Sequence, residues 1–133
     1  MHVAIDLLFL VPGSTGGRET YARELLPRLR AARPDWRLTA LLPREAEDDG
    51  WWRECCDETV VLRRASGRAR LRWMAGELIG VPRAARDADI VHALGNFGPV
   101  WGRAPRIVTV HDVIWERLPD TVPAVARVPT TTL

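Results

Sequence analysis

The stretch VAIDLLFLVPGSTGGRETYARELLPRL, residues 3–29, decides the fold. Its first part, residues 3–11, is apolar except for Asp6. A near-continuous apolar run is typical of a strand that is buried on both faces of a parallel sheet. The next six residues, PGSTGG at 12–17, contain three glycines, which permit backbone angles and close approaches that a Cβ would forbid. We therefore expect a first strand that runs into a tight turn.

Helical periodicity follows the glycine turn. Apolar residues recur at intervals of four, at Tyr21, Leu25 and Leu29, with Ala22 and Leu26 beside them. The charged residues between them, including Arg18 and Glu19, are expected to face solvent. A strand, a glycine turn and a helix in this order are typical of the opening of a nucleotide-binding α/β domain, and the turn lies where such folds bind ligands.

Composition indicates one globular domain. The chain has 133 residues, of which 47% are hydrophobic and 27% charged. No apolar run approaches the ~20 residues of a membrane-spanning helix. The N-terminus also lacks the basic start of a signal peptide. We therefore expect a cytoplasmic protein.

The basic residues do not indicate a nucleic-acid partner. All 19 of them are arginine, and the net charge is only +2. The absence of lysine excludes a Walker A phosphate loop, and the glycines at 13, 16 and 17 do not fit the dinucleotide motif G-x-G-x-x-G. Cys55 and Cys56 are adjacent and the three histidines are scattered, so we expect reduced thiols and no metal site.

Four further segments predict strands. They are residues 36–42, 59–63, 89–94 and 106–110. Their alternation with helical and loop segments predicts a Rossmann-like parallel sheet with helices on both faces.

Right-handed crossovers place the carboxyl ends of such strands at one rim of the sheet. The candidate site residues expected there are Gly16, Gly17, His92, Asn96, His111 and Asp112. Gly16 and Gly17 precede a helix N-terminus, which favours an anion such as a phosphate; alternatively, they serve the turn geometry alone. His111 can hydrogen-bond a sugar hydroxyl or act as an acid or base near neutral pH; alternatively, the backbone satisfies it.

Residues 63–86 carry seven arginines and one acid. Their apolar periodicity predicts a helix that Gly80 and Pro82 close. One interpretation is a crossover helix with a solvated basic face, whose partner is the acidic segment 43–58. The other is a helix, Arg68–Ile79, that rests on anionic lipid.

Three segments resemble family 4 glycosyltransferases. GGRETYARELLPRL (16–29) resembles the glycine-loop helix that opens these enzymes, and DIVHAL (89–94) resembles their fourth-strand segment. PRIVTVHDVIWERLPD (105–120) is similar to their P-x-V-x-T-x-H-D strand and the stretch that follows it. The resemblance implies a GT-B fold, in which two Rossmann-like domains enclose the active site. Residues 1–120 would then be the N-terminal, acceptor-side domain.

The resemblance also implies a reaction. Enzymes of this family transfer a sugar from a nucleotide-sugar donor to an acceptor, often a lipid or polysaccharide, with retention of configuration and generally without a catalytic metal. The nucleotide sugar is a co-substrate, so no cofactor is expected. Contact with the donor diphosphate and the acceptor carries over to Gly16–Gly17, and contact with the transferred hexose carries over to His111. Asp112 would support the loop beside His111, while His92 or Asn96 would line the acceptor cleft.

The sequence also departs from the family. The E-x7-E motif of the donor-binding domain does not occur, so we expect this chain alone to be inactive. Residues 121–133 are expected to be an incomplete or poorly ordered tail. The alternative function is a Rossmann-like binding or dimerisation module without catalysis, with a homodimer formed through the exposed sheet edge. The basic helix and the membrane-face acceptors of the family leave open a peripheral contact with the inner face of the membrane.

Overall fold

The computed structural model describes residues 1–112, which form a five-stranded, all-parallel sheet. The strands are β1 His2–Asp6, β2 Arg37–Pro43, β3 Glu58–Leu62, β4 Ile90–Ala93 and β5 Arg106–Val108. Their order across the sheet is β3-β2-β1-β4-β5. The helices are α1 Gly17–Ala32, α2 Arg70–Ala75 and α3 Val81–Ala84, and a π-helical turn, Gly76–Gly80, joins the last two. The sheet confirms the predicted α/β Rossmann-like fold. The predicted domain end at 120 and the tail 121–133 lie outside the described residues.

Helices cover both faces of the sheet. Val3 and Ile5 of β1 pack in the core that α1 covers through Leu26. Ala4 packs in the opposite core, which α3 covers through Val81. Because successive strand residues point to opposite faces, the apolar character of β1 is continuous rather than alternating.

β1 ends at Asp6, although the apolar run continues to Val11. The Asp6 carboxylate accepts a hydrogen bond from the Leu8 N–H at 3.0 Å, and the Leu10 N–H donates to the Leu7 carbonyl at 2.9 Å. These two bonds turn the chain out of the sheet. The loop that follows remains buried, so its apolar composition is the same as that of a strand. The strand predicted from this run is therefore too long.

α1 packs on the core through the predicted apolar side, with Leu25 and Leu29 partly buried, but Tyr21 and Glu19 differ from the prediction. Ala22 and Leu26 are fully buried, and Glu19 is only 8% exposed, whereas Tyr21 is 37% exposed. The prediction that Glu19 faces solvent is wrong, because its carboxylate is the hydrogen-bond acceptor of the glycine turn.

The sequence predicts that the second helical segment ends at Gly80, but the structure shows that the segment is longer. It continues through α3, because Pro82 lies in the first turn of α3, where its missing N–H costs little. The basic and acidic segments do meet, through an ion pair of 2.6 Å between Arg63 and Glu47. Among the described helices, none combines the length and the apolar character needed to cross a bilayer.

Candidate functional site

A groove of about 600 Å³ lies at the carboxyl-end rim of the sheet, and we call it the rim groove. The residues that line it are Thr15, Gly17, Arg18, Tyr21, Asn96, His111 and Asp112. It therefore joins the start of α1 to the segments that follow β4 and β5. Parallel strands bring these distant segments together, as the sequence predicts.

Glu19 holds the glycine turn beside the groove. Gly13 and Gly16 have φ angles of +72° and +58°, a region that favours glycine. The Glu19 carboxylate accepts the Gly13 N–H at 2.9 Å, the Thr15 hydroxyl at 3.3 Å and an Arg23 N–H at 2.8 Å. Burial alone would raise the pKa of Glu19, but the hydrogen bonds from Arg23 and Gly13 outweigh it and hold that pKa below its ordinary value.

The start of α1 presents unused backbone donors. In the described part of the chain, the N–H groups of Gly17 and Arg18 take part in no hydrogen bond, as is usual in the first turn of a helix. A Cβ built on Gly17 would meet no atom within 4 Å, so packing within the described chain does not require glycine there. Together with the positive end of the helix dipole, these donors can bind an anion.

Arg18 brings a guanidinium group to the groove, although its place in the helical pattern predicted a solvent-facing side chain. Its guanidinium carbon lies 5.2 Å from the centre of the Phe9 ring, and its Nη1 donates to the Gly95 carbonyl at 3.4 Å. Burial lowers the pKa of Arg18, and the nearby charge of Asp112 opposes that effect. The only sequence signal for Arg18 is its position directly after the glycine pair.

His111 is fixed by the segment that follows β4 and by a ring of α1. Its backbone N–H donates to the Asn96 side-chain oxygen at 2.6 Å, and its Nε2 lies 2.7 Å from the Leu94 carbonyl oxygen. Because a carbonyl only accepts, Nε2 carries the proton, and in the neutral ring Nδ1 keeps its lone pair. The Tyr21 ring meets the imidazole edge to face, with 4.9 Å between the ring centres. The groove therefore contains an imidazole whose tautomer is set by the backbone.

The structure does not bring His92 into the groove. Its Nε2 is hydrogen-bonded to the Thr109 hydroxyl at 2.9 Å, and burial lowers its pKa. Gly16 shapes the turn without lining the groove, whereas Gly17, Asn96 and Asp112 do line it.

The described residues offer neither a metal-ligand cluster nor a thiol to the rim groove. Within residues 1–112, no group of three or more His, Cys, Asp or Glu side chains could hold a metal ion. Cys55 and Cys56 are free thiols, and the groove uses neither of them. No protein-family model, no curated protein and no solved structure matches this chain.

Proposed function

We propose that this chain forms the acceptor-side half of a retaining glycosyltransferase, which moves a hexose from a nucleotide-sugar donor to a glycan or lipid acceptor. The observation that carries the proposal is the rim groove. It joins a helix N-terminus, the guanidinium of Arg18 and the imidazole of His111 in one concave space of about 600 Å³. This combination suits a ligand that has both an anionic phosphate and sugar hydroxyl groups.

The phosphate of the donor would lie against the glycine turn. The N–H groups of Gly17 and Arg18 supply two backbone donors, and the guanidinium of Arg18 supplies a full positive charge. The open space beside Gly17 lets a phosphate oxygen approach the backbone closely. Departure of a nucleoside diphosphate builds up negative charge, which preorganised donors of this kind stabilise.

The sugar would lie toward His111. Its Nδ1 can accept a hydrogen bond from a hydroxyl group while Nε2 stays bound to the Leu94 carbonyl. The side chains of Tyr21 and Asn96 line the same groove and offer further polar contacts. Asp112 lies beside them and acts electrostatically on Arg18, so it would help to place the guanidinium.

Nucleotide-sugar binding to this chain tests the proposal, because binding does not require turnover. We expect uridine or guanosine diphosphate hexoses to shift the backbone NMR signals of Gly17, Asn96 and His111. Arg18→Gln should weaken binding by about 10- to 100-fold, the value of a hydrogen bond to a charged group. The matched control is Arg64→Gln, which changes an exposed arginine outside the groove. Equal affinities of the two variants would contradict the proposal.

A second variant separates the sugar from the phosphate. His111→Ala should leave the affinity for the free nucleoside diphosphate unchanged and should reduce the affinity for the nucleotide sugar. If His111→Ala changes the affinity for both ligands by the same factor, or for neither, His111 does not contact the sugar.

A second candidate function, a dimerisation module, is favoured by one observation. Among the strands of residues 1–112, β5 lies at one edge of the sheet, and Ile107 and Val108 on it are 48% and 39% exposed. Exposed apolar edges are suited to association with another chain. Light scattering would give twice the 14.9 kDa of one chain for a dimer, and a monomer at micromolar concentration would exclude this function.

A further inference from the structure

Two buried carboxyl groups meet where β1 joins the π-helical turn, and the proposed function uses neither of them. Asp6 is 2% exposed and Glu77 is 1% exposed. Each side chain acts on the pKa of the other through a side-chain hydrogen bond between them. In the part of the chain that the structure describes, Asp6 Oδ2 and Glu77 Oε2 have no hydrogen-bond donor from any other group.

The other oxygen of each carboxyl already accepts an N–H. Asp6 Oδ1 accepts from the Leu8 backbone at 3.0 Å, and Glu77 Oε1 accepts from the Trp73 indole at 2.8 Å. Burial raises the pKa of both carboxyl groups, and the charge of Asp6 raises that of Glu77 further. Among residues 1–112, no basic side chain and no other acid acts on either group. Two anions cannot face each other in such a place without a proton between them.

We propose that Asp6 and Glu77 share one proton and that this shared proton positions the two loops that border the rim groove. The first loop starts at Asp6 itself. The bond from Leu8 to Asp6 Oδ1 turns the chain out of β1 and toward the glycine turn. An Asp6 side chain held by Glu77 therefore sets the direction in which this loop leaves the sheet.

The second loop is reached through Trp73. Glu77 fixes the indole by accepting its N–H, and the indole meets the Phe97 ring edge to face, with 5.4 Å between the ring centres. Phe97 follows Asn96, whose side chain holds the backbone of His111. Asp6 and Glu77 are thus positioning residues, which act on the groove through contacts and not by touching a ligand.

Close packing shields the carboxyl pair from solvent. A Cβ on Gly76, the residue before Glu77, would lie 2.8 Å from the Ala65 Cβ and 2.9 Å from a Leu8 methyl carbon. The π-helical turn therefore lies directly against the loop that follows β1.

Amide substitutions test for a single shared proton. In Glu77→Gln the new NH₂ group can donate to Asp6 Oδ2 while the amide oxygen still accepts from Trp73, and Asp6→Asn is the mirror case. We expect both single variants to fold. The double variant places two NH₂ groups against each other. The fold increase in its unfolding constant should therefore exceed the product of the fold increases in the two single variants, by on the order of tenfold. Additive effects, or single variants that do not fold, would overturn the proposal.

The pH dependence of unfolding gives a second test. Both acids are ionised in the unfolded chain at neutral pH, so the wild type takes up one proton when it folds, whereas Glu77→Gln takes up none. A group whose pKa is raised in the folded state loses its stabilisation as the pH rises. The unfolding constant of the wild type should therefore rise about tenfold per pH unit relative to Glu77→Gln between pH 7 and 8. Equal slopes would mean that no proton is shared.

The positioning role has its own readout. Glu77→Ala removes the acceptor of the Trp73 indole, so it should shift the amide NMR signals of Asn96 and His111 at pH 7. Glu77→Gln retains the acceptor and should leave those signals near their wild-type positions. Shifts of the same size in both variants would contradict the positioning role. None of these measurements uses a nucleotide sugar, so their outcome is independent of the proposed function.

Discussion

Replacing Glu19 by glutamine should loosen the glycine turn and lower the free energy of unfolding by about 2 kcal/mol. The carboxylate accepts the Gly13 N–H with one oxygen and the Arg23 guanidinium with the other, at 2.9 and 2.8 Å. A glutamine has only one acceptor oxygen, so its NH₂ group must face one of these donors. One hydrogen bond to a charged group, worth about 1.5–3 kcal/mol, is then lost. The 37% exposure of the Arg23 side chain keeps the expected loss away from the upper end of that range.

Urea unfolding followed by far-UV circular dichroism measures this loss, with Glu24→Gln as the matched control. Glu24 lies on the same helix and pairs with Arg28, but their side chains are 63% and 71% exposed, so the control should cost less than about 0.5 kcal/mol. Folding lowers the pKa of Glu19, so its carboxylate stabilises the fold fully above about pH 4.3, the pKa of a free glutamate. This stabilisation is lost as the pH falls through the pKa that Glu19 has in the folded state. The difference in the free energy of unfolding between the wild type and Glu19→Gln should therefore decrease from pH 6 to pH 3.5. Equal losses in the two variants, or a gap that does not change with pH, would refute this role of Glu19.

Two further predictions concern the core and the thiols. Leu26→Ala should lower the free energy of unfolding by about 2–5 kcal/mol, because Leu26 is fully buried. Leu71→Ala should change it by less than about 0.5 kcal/mol, because Leu71 is 82% exposed. Urea midpoints that shift equally in the two variants would contradict the packing described for α1 and α2. Burial raises the pKa of Cys56 to about 12 and also raises that of Cys55, so iodoacetamide at pH 8 should leave both thiols of the native chain unmodified and should label both in urea, as mass spectrometry can show. Native-state labelling at the rate seen in urea would count against this burial.

Much of the fold could be predicted because it depends on local patterns. The apolar segments that alternate with helices specify a parallel sheet, and the observed strands Arg37–Pro43, Glu58–Leu62 and Ile90–Ala93 fall within a residue or two of the predicted ones. The meeting of the glycine turn with Asn96 and His111 could also be predicted, since it follows from parallel strand direction alone.

The remaining features depend on contacts that no local pattern contains. Helical periodicity places Glu19 and Arg18 outside, but donors of the glycine turn draw Glu19 inward and the Phe9 ring holds Arg18 at the groove. A buried loop and a buried strand have the same apolar composition, so the end of β1 at Asp6 could not be read from residues 3–11. His92 lies on a strand that reaches the rim, yet its partner Thr109 on the neighbouring segment keeps the ring within the sheet.

The central position of β1 has a consequence for synthesis on the ribosome. β1 is made first, and its first partner arrives early, because His2 pairs with Arg37. Its other edge pairs with β4, where Val3 lies opposite Ile90. That edge therefore stays unpaired while roughly fifty more residues are synthesised, which takes a few seconds at ~5–20 residues per second. During this interval β1, β2 and α1 can assemble one core, while the opposite apolar face of the nascent sheet stays uncovered until Ala65, Val81 and Ala85 have been made.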